Sequence, residues 1–247
     1  DGFNMQDVSG VRVMMLKINH TEASPLHDKN VRSAVAHIIN YDTMAKVIGG
    51  GALAGGAPFP PSANLGYDGL SNKAVTDLAK ANELLTQAGY AKNGNGIYAK
   101  DGKELKLTLA IWGKDTSMYE EIQQELKQAG IAVELRKLQS PNEVDTLGVD
   151  AFDLVERNVV TMSTNDPYWF LSLFYKSGSK ANVGGYNNPQ VDALIDKLAV
   201  TFDQNERTNV AKQVQSILLD DVADIYLLYP AANVVSTSKV KNVPVHP

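Results

Sequence analysis

The stretch LKLTLAIWGKDTSMYEEIQQELKQAGIAVEL, residues 105–135, decides the fold class. Leu105, Leu107, Leu109 and Ile111 alternate with Lys106, Thr108 and Ala110, the period of a half-buried strand. Met118, Ile122, Leu126 and Ala129 then recur at helical spacing up to Gly130, a natural C-terminal stop. Ile131, Val133 and Leu135 resume the alternation. Strand, helix and strand within about thirty residues make a βαβ crossover, which pairs its strands in parallel and calls for an α/β lobe.

The rest of the chain follows the same grammar. Val11 to Ile18 is an apolar strand, and Asp28 can cap a helix carrying Val31, Ala34, Val35, Ile38 and Ile39. Asp42 is placed to cap a continuation through Ile48. The segment from Gly49 to Gly66, with three prolines among small residues, reads as a long loop. A helix fits Lys73 to Ala88, stopped by Gly89, and a strand fits Phe152 to Val160. Asp166-Pro167 and Asn188-Pro189 each open a helix, because proline suits the first helical turn. Glu206 to Leu219 is a further helix and Ile225 to Leu228 a last apolar strand.

Composition narrows the function. The chain has 247 residues, is 44% hydrophobic and carries a net charge of −5, so it can build a core but lacks the basic stripe of a nucleic-acid binder. It has no cysteine, which removes disulfides, thiolate metal sites and a Cys nucleophile together. No apolar run reaches the length of a membrane span, and the first residue is Asp1, which suggests that sequence has been removed upstream.

Motif by motif, little points to catalysis. GGGALAGG, residues 49–56, lacks the Lys-Ser/Thr of a phosphate-binding loop. No Gly-x-Ser-x-Gly elbow occurs, so an acyl-transfer centre has no positive support from that motif. The four histidines match no zinc spacing; His20 and His27, flanking one loop, are the one candidate metal pair, and His37 reads as structural. Asn19-His20-Thr21 fits the glycosylation sequon. The loop from Arg157 to Trp169 is richest in chemistry: a guanidinium, hydroxyl and amide side chains, a carboxylate and two aromatics lie between a strand end and a helix start. Ligands of open α/β sheets bind there. The plain alternative makes Trp169, Phe170 and Leu171 the buried face of the next helix.

The order of segments carries a resemblance. PLHDKNVRSA at 25–34 with HIINYD at 37–42 resembles the D-x-x-V-R-x-A … A-I-D/N-R signature of the extracytoplasmic solute-binding proteins of the dipeptide, oligopeptide and nickel class. Gly55 to Pro61, Asp77 to Tyr90, Gly102 to Leu105, Ile122 to Ile131, Asn182 to Asp192, Arg207, and Gln213 through Pro230 are similar to further blocks of that family, in order.

The resemblance implies one lobe of the type II periplasmic-binding-protein fold, a mixed sheet flanked by helices. Residues 1–247 would be the carboxy-terminal lobe of a two-lobed receptor whose amino-terminal lobe is missing. Residues 1–20 would lie by the hinge, and 231–247 would begin the return. It further implies solute capture by hinge closure and delivery to an ABC permease, at an extracytoplasmic site, periplasmic or lipid-anchored at the cell surface. The solute would be a short peptide or a metal chelate, with nickel as cargo and no cofactor. Nucleic acid has no place in it and no reaction is catalysed.

Peptide-specific members carry an acid where this chain has Ser163, whereas nickel-type members lack it, and Arg157 resembles an arginine of some of them. The aromatic residues of the nickel group's loop are Thr and Asn here. The lining set is therefore Arg157, Ser163, Thr164, Asn165, Tyr168 and Trp169, with Asn182 ordering a loop and Asp166 capping the helix. Two other classes stay open: a ligand-sensing domain of a transcriptional or signalling regulator, and a hydrolase on the same scaffold.

Overall fold

A computed structural model describes residues 2–70, 75–146 and 148–240. Eleven strands and seven helices follow in the order β1 (Phe3–Ser9), β2 (Arg12–Ile18), α1 (Lys29–Ile38), α2 (Tyr41–Ile48), β3 (Leu53–Ala54), α3 (Leu78–Gln87), β4 (Ala91–Lys92), β5 (Tyr98–Lys100), β6 (Lys103–Glu104), β7 (Lys106–Ile111), α4 (Ser117–Ala129), β8 (Ala132–Lys137), β9 (Leu154–Val160), α5 (Tyr168–Tyr175), α6 (Pro189–Val200), α7 (Gln204–Asp220), β10 (Asp224–Tyr229) and β11 (Ala231–Thr237) among the described residues. Six strands form the central sheet in the order β3-β10-β2-β9-β7-β8. The β7–α4–β8 unit is parallel, as its alternation demands, and β7 also runs parallel to β9. The pairs β2–β9 and β10–β2 are antiparallel, so the sheet is mixed.

Alternation along β2 sends its side chains to two cores. Leu16 and Ile18 join Leu107, Leu109, Leu154 and Ile225 under α1 to α4, while Val13 and Met15 join Phe170, Leu171, Ile195, Val214 and Tyr226 under α5 to α7. Helices thus cover both faces of the sheet, which is why β10 is buried along its whole length. The Asp28 carboxylate accepts the Asn30 amide and caps α1, as read from the sequence.

Four local expectations are corrected. First, α2 is capped by Asn40, whose side chain accepts from the Thr43 amide; Asp42 lies in the first turn, where its charge complements the helix dipole. Second, α3 begins at Leu78 because Asp77 accepts the Lys80 amide and sets the boundary; Lys73 and Ala74 lie outside the described residues. Third, the stretch from Gly49 to Gly66 holds the short strand β3 and a single 3-10 turn at Pro61–Ala63. Gly55 donates to the Leu227 carbonyl at 2.9 Å, and a Cβ there would stand 2.0 Å from the Tyr226 carbonyl oxygen, so only glycine brings the chain so close. Fourth, residues 1–20 supply two strands where one was expected. β1 pairs with β11 over Phe3↔Thr237 to Ser9↔Ala231 as a separate antiparallel ribbon, with Phe3, Met5 and Val235 exposed.

The histidine and sequon readings resolve into packing. Asn19 is buried, and its amide nitrogen donates to the Val149 and Phe152 carbonyls, so the sequon asparagine is committed inside the fold. The His27 Nδ1 donates to the His20 carbonyl at 2.7 Å and His37 Nδ1 to the Val75 carbonyl. His20 Nε2 donates to the Ala223 carbonyl at 2.8 Å, and its ring meets Tyr186 edge to face at 5.2 Å. Each ring of the candidate pair thus gives one nitrogen to a backbone carbonyl, and among the described residues no group of three or more His, Cys, Asp or Glu side chains gathers to hold a metal. Burial, with the Arg32 and Lys17 cations nearby, pushes the His20 pKa down to about 3 despite the Ala223 bond.

A depressed pKa in the folded chain means that the unfolded chain binds the proton first. The His20 contribution is therefore intact above the ordinary histidine pKa of about 6.5 and is lost as pH falls towards 3. Linkage gives a loss of about 2 kcal/mol between pH 7 and pH 5. Urea titrations at the two pH values should show this drop in the native chain, and the drop should disappear in His20→Gln; an equal drop in both would remove His20 as its source.

Candidate functional site

The parallel neighbours β7 and β9 end at the same edge of the sheet, and their outgoing loops, 112–116 and 161–167, lie beyond their carboxyl ends. The start of β2 reaches the same edge, since Arg12 pairs with Val160, and Thr161 donates through both its amide and its hydroxyl to the Val11 carbonyl at 2.8 Å. The β1–β11 ribbon leaves from this edge as well, because β2 follows β1 after Gly10 and Val11 while β11 follows β10 after Pro230. Strand ends, two loops and the ribbon therefore converge, which is where a ligand of an open α/β sheet is met.

Arg157 sits midway along β9 opposite Met15, half-buried, with its guanidinium carbon 5.9 Å from the Trp112 ring centroid. A cation–π contact of this kind helps to orient a planar guanidinium. Trp112 is itself fixed: its amide donates at 2.9 Å to Glu156 Oε1, a buried carboxyl whose pKa is pushed up by desolvation. A second guanidinium, Arg12, is exposed at the edge and donates to Asn158 Oδ1 at 3.2 Å.

The predicted polar loop has the expected place. Ser163, Thr164 and Asn165 are exposed on a turn closed by the Asn165 amide to the Met162 carbonyl at 3.0 Å. Asn165 takes a φ of +54°, a left-handed conformation that asparagine tolerates better than most residues. Asp166 Oδ1 accepts the Tyr168 amide, the first of α5, at 2.8 Å, whereas the capping position expected for Asp166 is taken by Pro167. On α5, Tyr168 and Trp169 are 38% and 41% exposed, while Phe170 and Leu171 are wholly buried. The buried-face alternative therefore holds for Phe170 and Leu171 and fails for Trp169, whose ring stands edge-on to Phe174 at 6.3 Å.

Asn182 is set apart from the other six. It is 7% exposed, and its amide is used up inside its own loop, donating to Tyr186 O at 2.7 Å and accepting from the Tyr186 amide at 3.1 Å. It orders the turn into α6 instead of facing a ligand. Sequence reasoning missed Trp112, although its place directly after the last residue of β7 was the same strand-end signal that singled out the β9 loop. It also missed Arg12, which only the β2–β9 register brings to the edge.

With this geometry in place, comparison with known proteins is informative. The profile of bacterial extracellular solute-binding proteins, family 5, middle region, matches residues 1–182. A nickel-binding protein of Staphylococcus aureus is 29% identical over 244 residues, covering 97% of this chain and 47% of its own length. A probable D,D-dipeptide-binding periplasmic protein of Escherichia coli is 27% identical over 252 residues, covering 99% of this chain and 46% of its own. Among solved structures, a protein of Brucella suis in complex with Fe(III)-EDTA superposes with a TM-score of 0.85 at 25% identity, over 99% of this chain and 50% of that one. The chain thus spans about half the length of the curated relatives it matches.

Proposed function

Since this chain belongs to the bacterial extracellular solute-binding proteins of family 5, we propose that it is the carboxy-terminal ligand-binding lobe of an ABC-importer receptor, taking up a short peptide or a metal chelate. Residues 1–20 and 231–247 would carry the connection to a second lobe. The pairing of β1 with β11 supports this, because a two-strand ribbon leaving the ligand edge is a suitable bending element. Solute would dock at the β7–β9 edge, the second lobe would close over it, and the closed receptor would be presented to the permease. This reading needs no cofactor and no catalytic step. The family's description as extracellular supports a site outside the cell, and among the described residues no helix is long and apolar enough to cross a membrane.

Of the two solute classes, a metal chelate bearing carboxylates fits better. The observation that carries this is the Arg157 guanidinium beside the Trp112 indole, on the strand that runs into a loop in which Ser163 offers a hydroxyl and no anion. A guanidinium meets a carboxylate in a bidentate, charge-assisted pair, whereas a free peptide amine asks for an acid. The Staphylococcus aureus relative is named for nickel binding and the Brucella suis neighbour holds a metal–aminocarboxylate complex, which supports the same choice.

Calorimetric titration of the full-length receptor with a nickel–histidine complex, a nickel–aminocarboxylate complex and a set of di- to pentapeptides tests the reading. Saturable binding of a chelate, with the peptides silent, is the expected result. Peptide binding with silent chelates would overturn the choice of solute, and silence from both would overturn the receptor reading.

A further inference from the structure

Arg207, near the start of α7, has every nitrogen of its guanidinium engaged. Its Nε and one terminal nitrogen donate to Asp166 Oδ2 at 2.9 and 2.5 Å. The other terminal nitrogen donates to the Leu198 carbonyl at 2.7 Å and to the Thr201 carbonyl. Leu198 lies in the last turn of α6 and Thr201 is its C-terminal cap, so the guanidinium satisfies carbonyls that the helix leaves over. Asp166 is equally divided, one oxygen on Arg207 and the other on the Tyr168 amide. The pair is largely withdrawn from water, with side chains 13% and 29% exposed. One ion pair therefore ties the start of α7, the end of α6 and the start of α5 at a single point. That point lies directly between the exposed turn 163–165 and the two exposed aromatics, Tyr168 and Trp169.

We infer that Arg207 is a positioning residue for ligand binding: through Asp166 it fixes the 161–167 loop and the direction in which Tyr168 and Trp169 leave α5. This rests on the reading of that loop as ligand-facing. The fork geometry matters, since a guanidinium serves four acceptor contacts from one plane and an ammonium cannot. A surface pair linking α6 and α7 alone would not do the same work. Lys197 and Glu206, 3.0 Å apart with side chains 52% and 51% exposed, form such a pair and do not touch the loop.

The chain has two tryptophans, so Trp112→Phe leaves Trp169 as its sole indole reporter. On that background, Arg207→Gln and Asp166→Asn should each raise acrylamide quenching of Trp169 by about twofold and red-shift its emission, with far-UV circular dichroism unchanged, because the loop loosens while the helices persist. Arg207→Lys should fall between, and Glu206→Gln should leave the signal as it was. In the full-length receptor, Arg207→Gln should weaken binding of the nickel–histidine complex by about tenfold, the scale of one lost charge-assisted contact. A folded Arg207→Gln with native Trp169 quenching, or a Glu206→Gln that loosens Trp169 equally, would overturn the inference. Should Arg207→Gln fail to fold, Asp166→Asn decides by the same readings. If the unsubstituted receptor ignores chelates and peptides alike, the functional reading falls, while the quenching series still decides whether Arg207 positions the loop.

Discussion

Lys17→Met is expected to lower the unfolding free energy by about 3–5 kcal/mol, the penalty for leaving one member of a buried ion pair without its partner. Lys17 is 1% exposed, and its ammonium donates to Asp224 Oδ2 at 2.7 Å and to the Phe174 carbonyl at 3.2 Å, with the Tyr175 ring centroid 4.4 Å away. Desolvation lowers the Lys17 pKa and raises that of Asp224, while their mutual attraction works against both shifts. At this burial the net worth of the intact pair is small, but the cost of half a pair is large. Because Phe174 and Tyr175 end α5, the pair also anchors the far end of the helix whose start is held by Arg207. Urea denaturation at neutral pH measures the effect, and at 2–4 °C per kcal/mol for a chain of this size the melting temperature should fall by about 10 °C. Replacing both residues, as Lys17→Met with Asp224→Leu, should restore most of the loss. A single variant within 1 kcal/mol of the native chain would show that the pair is not the anchor described.

Arg157→Ala is expected to act on binding and to leave stability nearly unchanged. A charge-assisted contact contributes about 1.5–3 kcal/mol, so affinity for a carboxylate-bearing chelate should fall by about tenfold to a hundredfold. Arg157→Lys keeps the charge but loses the planar fork beside Trp112, and should recover only part of the affinity. Raising the salt concentration should weaken the native receptor more than Arg157→Ala, because the variant has lost the charge that salt screens. Unchanged affinity in Arg157→Ala would remove this residue from the site.

The parts of the fold that the sequence foretold are those whose signal is local. The β7–α4–β8 unit was legible because strand and helix periods stand side by side and Gly130 closes the helix in a left-handed turn. The helix starts at Asp28, Asp166-Pro167 and Asn188-Pro189 were legible because capping is a matter of three or four residues. The β1–β11 ribbon was not. Neither of its strands has a buried face, so no core-directed alternation marks them, and their partners stand more than two hundred residues apart. β3 was hidden for another reason: two residues in a glycine-rich stretch carry no pattern, and pairing with β10 is what makes them a strand.

The site divides along the same line. Ser163, Thr164, Asn165, Tyr168 and Trp169 form one contiguous loop and helix start, and reading them needed only the strand-end rule. Trp112 beside Arg157, and Arg207 on Asp166, are joined across 45 and 41 residues of sequence, and no spacing within either segment announces the contact. Asn182 shows the converse limit. Its residue type suits a ligand contact and a loop clasp equally, and only its hydrogen bonds distinguish the two.

The central claim, capture of a carboxylate-bearing metal chelate, is tested most directly by what the protein carries when isolated. The full-length receptor would be purified without added ligand and denatured, and the released material analysed by mass spectrometry and elemental analysis in parallel. Nickel or another transition metal in a stoichiometric amount, together with a carboxylate chelator, is the predicted result. Short peptides released without metal would contradict it, and would mean that a group other than an acid at position 163 receives the peptide amine.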